Sequence, residues 1–170
     1  MKKVEVLERI HDRAKFDCGN DLLNSFLQKT ARQHLKKGIS RTFVIIDTAE
    51  PATILGFFTL SICEVEADKI QTRFAGKYPD RVAGVKLARL AVDLQSQKQG
   101  LGAMMLAETI SRVVSIAEIV GVVGLFVDAK DLTARNYYRR YGFDSDSDTL
   151  LMFLPLATIQ NTVKIVNSDS

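Results

Sequence analysis

Gln97-Lys98-Gln99-Gly100-Leu101-Gly102 decides how this chain reads, because of what flanks it. Upstream, Val85 to Val92 reads as a buried strand carrying Val85, Leu87, Leu90, Ala91 and Val92, with Arg89 as the odd charge. Downstream, Ala103 to Ala117 places Met104, Met105, Leu106, Ile110, Val113, Val114 and Ala117 at helical spacing. A strand, a glycine-bearing loop and a helix N-terminus together form an anion cradle. The first-turn N–H groups lack intrahelical acceptors, and the helix dipole adds partial positive charge. Gly100 and Gly102 keep Cβ atoms out of the way of a bulky phosphate, and Lys98 adds a mobile cation. The stretch reads as a holder for a diphosphate.

A P-loop would carry Lys-Ser/Thr after its last glycine, and a dinucleotide fingerprint would read Gly-x-Gly-x-x-Gly; this loop is neither. Taken alone, the hexapeptide is equally compatible with an ordinary strand–helix turn that holds nothing. A second segment separates the readings. Leu125-Phe126-Val127-Asp128-Ala129, another buried strand, leads into Ala134-Arg135-Asn136-Tyr137-Tyr138-Arg139-Arg140-Tyr141-Gly142-Phe143. Gln-x-x-Gly-x-Gly between strand and helix resembles the acetyl-CoA pyrophosphate loop of the GCN5-related N-acetyltransferases (GNAT). Ala-x-x-x-Tyr-x-x-x-Gly-Phe resembles the end of the same fold, where a short helix presents a tyrosine to the cofactor sulfur.

Composition agrees with one soluble domain spanning residues 1–170. The chain is long enough for a real core, and 46% hydrophobic residues can fill it. No apolar run reaches the length of a membrane span and no signal-type apolar segment opens the chain, so a cytoplasmic protein is expected. Cys18 and Cys63 suggest reduced thiols, with a single bridge as the alternative, and His11 and His34 lack metal-site spacing. Asn167 to Ser170 read as a frayed end.

Lys3 to Ile10 alternates like a half-buried strand. Asn20 is a good N-cap for a helix carrying Leu22, Leu23, Phe26, Leu27, Ala31 and Leu35 on one face and stopped by Gly38. Thr42–Ile46 and Ile54–Ile62 read as a hairpin through Glu50-Pro51-Ala52. Ala67 to Tyr78 is a short helix or an irregular excursion, and a last strand lies near Leu150–Leu154. The order β-α-β-β-(α)-β-α-β-α-β is that of an α/β fold with a mixed sheet and helices on both faces. The resemblance further implies a sheet splayed at the cofactor site.

The resemblance also implies roles. The backbone of Leu90, Ala91 and Val92 would pair with the pantetheine arm of acetyl-CoA, one N–H polarising the thioester carbonyl. Gln97, Lys98, Gln99, Gly100, Leu101, Gly102 and Ala103 would hold the pyrophosphate, and Asn136 would touch the cofactor or else face solvent. Amine attack expels a thiolate, and Tyr138, with an ordinary pKa of about 10, suits the acid that protonates it. Its alternative is packing on the sheet, as for Tyr137 or Tyr141. No metal is implied.

Phe16-Asp17-Cys18-Gly19-Asn20-Asp21-x-Leu23-Asn24-x-Phe26-Leu27, Leu87-Ala88-Arg89-Leu90-Ala91-Val92-Asp93 and Val127-Asp128-Ala129-Lys130-Asp131 resemble one subgroup more closely. These are the acetyltransferase toxins of toxin–antitoxin modules, encoded beside a ribbon–helix–helix antitoxin. That resemblance implies acetylation of the α-amine of aminoacyl-tRNA and a block of translation. It also implies a homodimer, an antitoxin tail over the basic surface near Tyr138, and promoter DNA bound only through the antitoxin complex. Arg81-Val82-Ala83-Gly84-Val85-Lys86 departs from the more proline-rich approach expected before the central strand and reads as a loop of undefined path.

Charge and base chemistry bear on that substrate. Net charge is only +3, yet Leu22 to Ile46 contains no acid while holding Lys29, Arg32, Lys36, Lys37 and Arg41. Lys69, Arg73, Lys77, Arg81, Lys86 and Arg89 form a second basic group, and Arg139 and Arg140 follow the proposed acid. We take Lys29, Arg32, Lys36, Lys37, Arg41, Arg81, Lys86, Arg89, Arg139 and Arg140 as candidate tRNA contacts, against the bland reading of a solvated face. An α-amino group titrates near about 8, against about 10.4 for lysine, so its acetylation needs no strong base. Glu64 and Glu66 are candidate bases or simply an exposed strand end. A housekeeping acetyltransferase for a small amine, peptide N-terminus or lysine is the alternative function. A non-catalytic binding module is a third, disfavoured by Tyr138 and the intact loop.

Overall fold

The computed structural model describes residues 1–74, 76–146 and 149–161, so the expected frayed segment Asn167–Ser170 lies outside the described residues. Six strands hydrogen-bond in the order β1 (Lys2–Val6), β2 (Arg41–Asp47), β3 (Gly56–Glu66), β4 (Arg81–Val92), β5 (Gly124–Asp128) and β6 (Leu151–Pro155). Neighbours run antiparallel at β1–β2, β2–β3 and β5–β6 and parallel at β4–β5, so the sheet is mixed, as expected. The parallel ladder pairs Val85 with Leu125 and Lys86 with Phe126. The helices are α1 (Asp21–Ser25), α2 (Ala31–Lys37), α3 (Leu101–Ala117) and α4 (Leu132–Arg139). Two 3-10 turns, Ala67–Lys69 and Thr72–Phe74, occupy the expected excursion.

The chain divides into two compact units. The first comprises Met1–Ser61 and Leu87–Thr109. Its core gathers Leu7, Phe16, Phe26, Leu27, Val44, Ile46, Phe57 and Ala91. Phe57 is fully buried, with Phe16 edge-on at 5.4 Å and Phe26 stacked at 6.4 Å. Truncating such a ring to alanine costs about 3–5 kcal/mol. Asn20 caps α1 by accepting the Leu23 N–H, and Gly38, at φ 69°, ends α2 in the left-handed region.

Between α1 and α2 the chain makes a π-turn, Phe26–Thr30, which the apolar spacing does not announce. One extra residue in a turn rotates the preceding face by about 100°. Leu22, expected on the buried face, is 84% exposed, whereas Phe26, Leu27 and Ala31 are buried. Arg13 Nη1 donates to the Gln28 carbonyl within this turn at 3.0 Å.

The second unit comprises Ile62–Lys86 and Ile110–Ser170. Its core is Ile70, Val82, Phe126 and Phe153, flanked by Phe74 and Tyr78. Phe126 stacks on Phe153 at 4.6 Å. Arg81–Lys86, expected as a loop, is instead the first half of β4. Gly84 is there because a Cβ would lie 2.4 Å from Phe126 Cε2. That glycine marks ring-on-backbone packing within a strand and not a turn.

Candidate active site

In the first unit, the stretch after β4 has the geometry of an anion cradle. Lys98 adopts φ 62° and Gly100 φ 78°, both in the left-handed region. A non-glycine residue held there costs on the order of 1–3 kcal/mol, a cost that persists where the surrounding fold fixes it. A Cβ at Gly100 would meet nothing within 4 Å, so conformation and not space selects glycine. The Met104 N–H donates to the Gly100 carbonyl at 3.1 Å, so Leu101, Gly102 and Ala103 present their N–H groups ahead of the helical ladder. Gln97 donates its side-chain amide to the Val92 carbonyl at 3.2 Å and ties the loop to the end of β4. These residues fit a diphosphate.

Support for the cradle comes from the opening motif. The Asp17 carboxylate accepts from the Gly19 N–H and from Asn24 Nδ2, both at 2.9 Å, and Asn24 Oδ1 accepts the Cys18 N–H at 2.9 Å. The Gly19 and then the Asn24 hydrogen bonds hold the Asp17 carboxyl below its ordinary pKa. The Asp17 N–H donates to Asp93 Oδ2 at 3.0 Å, and the Leu94 N–H returns to the Asp17 carbonyl at 2.8 Å. The turn before α1 is thereby fastened to the residues leading from β4 into the loop. Within β4, Ala91 is buried while Leu90 and Val92 are half-buried. Gly56 lies behind Ala91, where a Cβ would come within 3.0 Å of the Ala91 carbonyl oxygen.

In the second unit, Asp131 caps α4 by accepting the Ala134 N–H at 2.8 Å. Arg135 is buried and donates Nη2 to the Asp146 carbonyl at 2.9 Å, an anchor that the sequence reading missed. Tyr138, one turn later, is half-buried against Phe143 at 5.5 Å and Tyr137 at 5.4 Å. Burial raises its phenol pKa above the ordinary value, so the hydroxyl is protonated at neutral pH. Among the described residues that hydroxyl has no hydrogen-bond partner. Tyr137 is pushed up to about 12, first by burial and then by its hydrogen bond with Tyr141. Tyr137 and Tyr141 therefore occupy each other. Asn136, Arg139 and Arg140 are on the same stretch as Tyr138, Arg140 lying over the Tyr137 ring at 5.3 Å.

The basic residues divide. In the first unit Lys29, Arg32, Lys36, Lys37 and Arg41 all reach solvent to some degree; none pairs with an acid among the described residues. Arg89 lies over the Phe26 ring at 3.6 Å. In the second unit Arg81 Nε pairs with Glu64 at 3.3 Å, and Lys86 Nζ with Asp128. These two pairs line a cleft of about 370 Å³ with Cys63 and Phe126. Glu64 is thus engaged, and Glu66 is exposed. Among the described residues no cluster could hold a metal, and no helix is long and apolar enough to cross a membrane. Both cysteines are free thiols.

Comparison with known proteins places this geometry. Residues 18–151 match the acetyltransferase (GNAT) domain model. The chain is 33% identical over 144 residues to a tRNA-acetylating toxin of Mycobacterium tuberculosis, covering 84% of this chain and 85% of that protein. It superposes on AtaT complexed with acetyl-methionyl-tRNAfMet with a TM-score of 0.87 and 28% identity, covering 96% of this chain and 99% of the other. A tyrosine-to-phenylalanine variant of AtaT, bound to the C-terminus of the antitoxin AtaR and acetyl-CoA, aligns with a TM-score of 0.79 and 28% identity, covering 95% and 98%.

Proposed function

The chain belongs to the GNAT acetyltransferases, and from that premise we propose that it is a toxin that acetylates the α-amine of aminoacyl-tRNA and so blocks translation. The observation that carries this reading is the likeness, over nearly all of both chains, to a toxin solved with an acetylated aminoacyl-tRNA. Acetyl-CoA supplies the activated acyl group as a thioester. Of the chain's own groups, the N–H donors at Lys98–Ala103 hold the diphosphate, and the backbone of Leu90–Val92 orients the pantetheine and polarises the carbonyl. Tyr138 O–H delivers the proton to the departing sulfur.

The unneutralised cations of the first unit, Lys29, Arg32, Lys36, Lys37, Arg41 and Arg89, with Arg139 and Arg140 of the second, are the proposed tRNA contacts. Arg81 and Lys86 contribute only by exchanging an acid partner for phosphate. One GNAT domain acts in the cytoplasm as a homodimer, silenced by a ribbon–helix–helix antitoxin through which the complex reaches promoter DNA. Light scattering that finds a monomer at micromolar concentration would remove the dimer. The decisive experiment offers labelled acetyl-CoA to charged tRNA, deacylated tRNA and a lysine-peptide pool. Label on charged tRNA alone is the expected outcome; label confined to peptides or small amines makes the protein a housekeeping acetyltransferase.

A further inference from the structure

Arg89 is an unusual charge. It sits on β4 between Leu87 and Ala91, both buried, and its guanidinium lies over the Phe26 ring at 3.6 Å. Phe26 itself stacks on Phe57, and the His34 ring meets it edge-on at 5.6 Å, so the platform under the guanidinium is fixed by the core. Among the described residues Arg89 has neither a hydrogen-bond acceptor nor an acid partner, although it is only half exposed. A guanidinium has five N–H donors in one plane. Stacked on a ring, it spends a face and keeps the donor edges, which match the paired oxygens of a phosphodiester. The ring face offsets part of the hydration that the guanidinium has given up, but it supplies no acceptor for the N–H edges, which stay available to an anion.

The supply of anions nearby on the chain is poor. No acid occurs from Leu22 to Ile46, the segment that carries Phe26 and also Lys29, Arg32, Lys36 and Lys37. The π-turn Phe26–Thr30 sets Phe26 inward while Lys29 stays accessible. We propose that Arg89, held flat by Phe26, is a phosphate-binding residue for the 3′ end of the acceptor RNA, gripping a phosphodiester bidentately. For its ligand the inference rests on the aminoacyl-tRNA reading. It differs from a general basic surface in requiring the flat fork as well as the charge.

The test measures anisotropy of a labelled acceptor-stem hairpin ending in unpaired CCA, with wild-type protein, Arg89→Lys and Arg89→Met, across a salt series. Arg89→Met keeps an apolar cover on Phe26, and Arg89→Lys keeps the charge should the methionine variant fail to fold. Both variants are expected to bind about tenfold more weakly or worse. The salt slope should fall by roughly 0.7–0.9 in Arg89→Met and remain in Arg89→Lys. Calorimetric acetyl-CoA affinity should match wild type in both. Equal hairpin affinity in Arg89→Lys and wild type overturns the bidentate grip. A selective loss of acetyl-CoA affinity gives the guanidinium to the cofactor phosphates instead and also overturns the proposal. Arg89-dependent hairpin binding without acetylation of charged tRNA would leave this site standing and remove the activity. Acetylation with an unchanged KM for charged tRNA in both variants would do the reverse.

Discussion

The basic residues that stand out in the sequence are paired differently in the two compact units. In the first, Lys98 and Gly100 hold left-handed backbone positions before α3, and Arg89 rests on an aromatic ring without an acid partner among the described residues. In the second, Arg81 is answered by Glu64 and Lys86 by Asp128, and Tyr138 carries a phenol whose pKa burial raises further. A tally of lysines and arginines treats the units alike. The pairing separates Arg81 and Lys86, which have acid partners, from Lys29, Arg32, Lys36, Lys37, Arg41 and Arg89, which have none among the described residues.

That contrast breaks most sharply at Tyr138. Tyr138→Phe should lower kcat by about 10²–10⁴-fold while acetyl-CoA affinity stays unchanged. Turnover within about threefold of wild type, well short of the range for a general acid, would mean that the second unit does not supply the acid. Because burial raises this phenol's pKa, the protonated acid survives to higher pH than an ordinary tyrosine. Wild-type kcat should therefore show no alkaline decline from Tyr138 below about pH 10.

Next in size is the backbone cradle. Gly100→Val forces a β-branched residue to φ 78°, at a cost of about 1–2 kcal/mol or more. The acetyl-CoA KM should rise roughly tenfold with kcat little changed, since about 1.4 kcal/mol is tenfold in affinity. A fall in kcat at constant KM would move the loop from cofactor holding to chemistry.

Smaller again is the difference between free and answered cations. Replacing Lys36 and Lys37 together by glutamine should flatten the salt dependence of RNA binding by roughly 0.7–0.9 for each phosphate no longer neutralised, while Lys86→Gln should leave it nearly unchanged. Equal effects would mean that an acid partner does not withhold a lysine from RNA.

The smallest effect separates the units by pH. Glu5 in the first unit is held below its ordinary pKa, chiefly by its hydrogen bond to buried His11 at 2.8 Å. Its contribution is present above the ordinary carboxylate value and fades as pH falls through the lowered one. Tyr137 in the second unit is raised to about 12, so its contribution is full below the ordinary tyrosine value and fades as pH climbs toward that figure. Thermal melts across pH should show Glu5→Gln flattening only the acid limb of the stability profile, by converging there with wild type, and Tyr137→Phe flattening only the alkaline limb. A shift on both sides from either variant would tie the two titrations together.

Sequence reading reaches the local features and stops where a partner lies far along the chain. Asn20 and Gly38 bound the first helical segment as expected, because caps are chemistry within a few residues. The placement of Gln97–Gly102 before α3 and of Tyr138 on α4 is legible because each lies on a short strand-to-helix pattern. The left-handed Lys98 is not, since no propensity favours lysine there. The π-turn is invisible because Phe26, Leu27 and Ala31 satisfy ordinary helical spacing just as well. The strand through Gly84 reads as a loop because its reason, the Phe126 ring, arrives from a distant strand. The pairs Arg81–Glu64 and Lys86–Asp128 are hidden for the same cause, which is why the second basic group looks more available in sequence than it is.

The tie between Asp17 and Asp93 joins residues 76 positions apart. Such a link closes only after the intervening chain has been made and folded, and long-range closures of this kind are slow to form. The turn that opens the helical segment and the residues that lead into the cofactor loop thus mature together and late. A chain that ends before Asp93 lacks the partner of the Asp17 turn, so the two can lock only once all of β4 has been made.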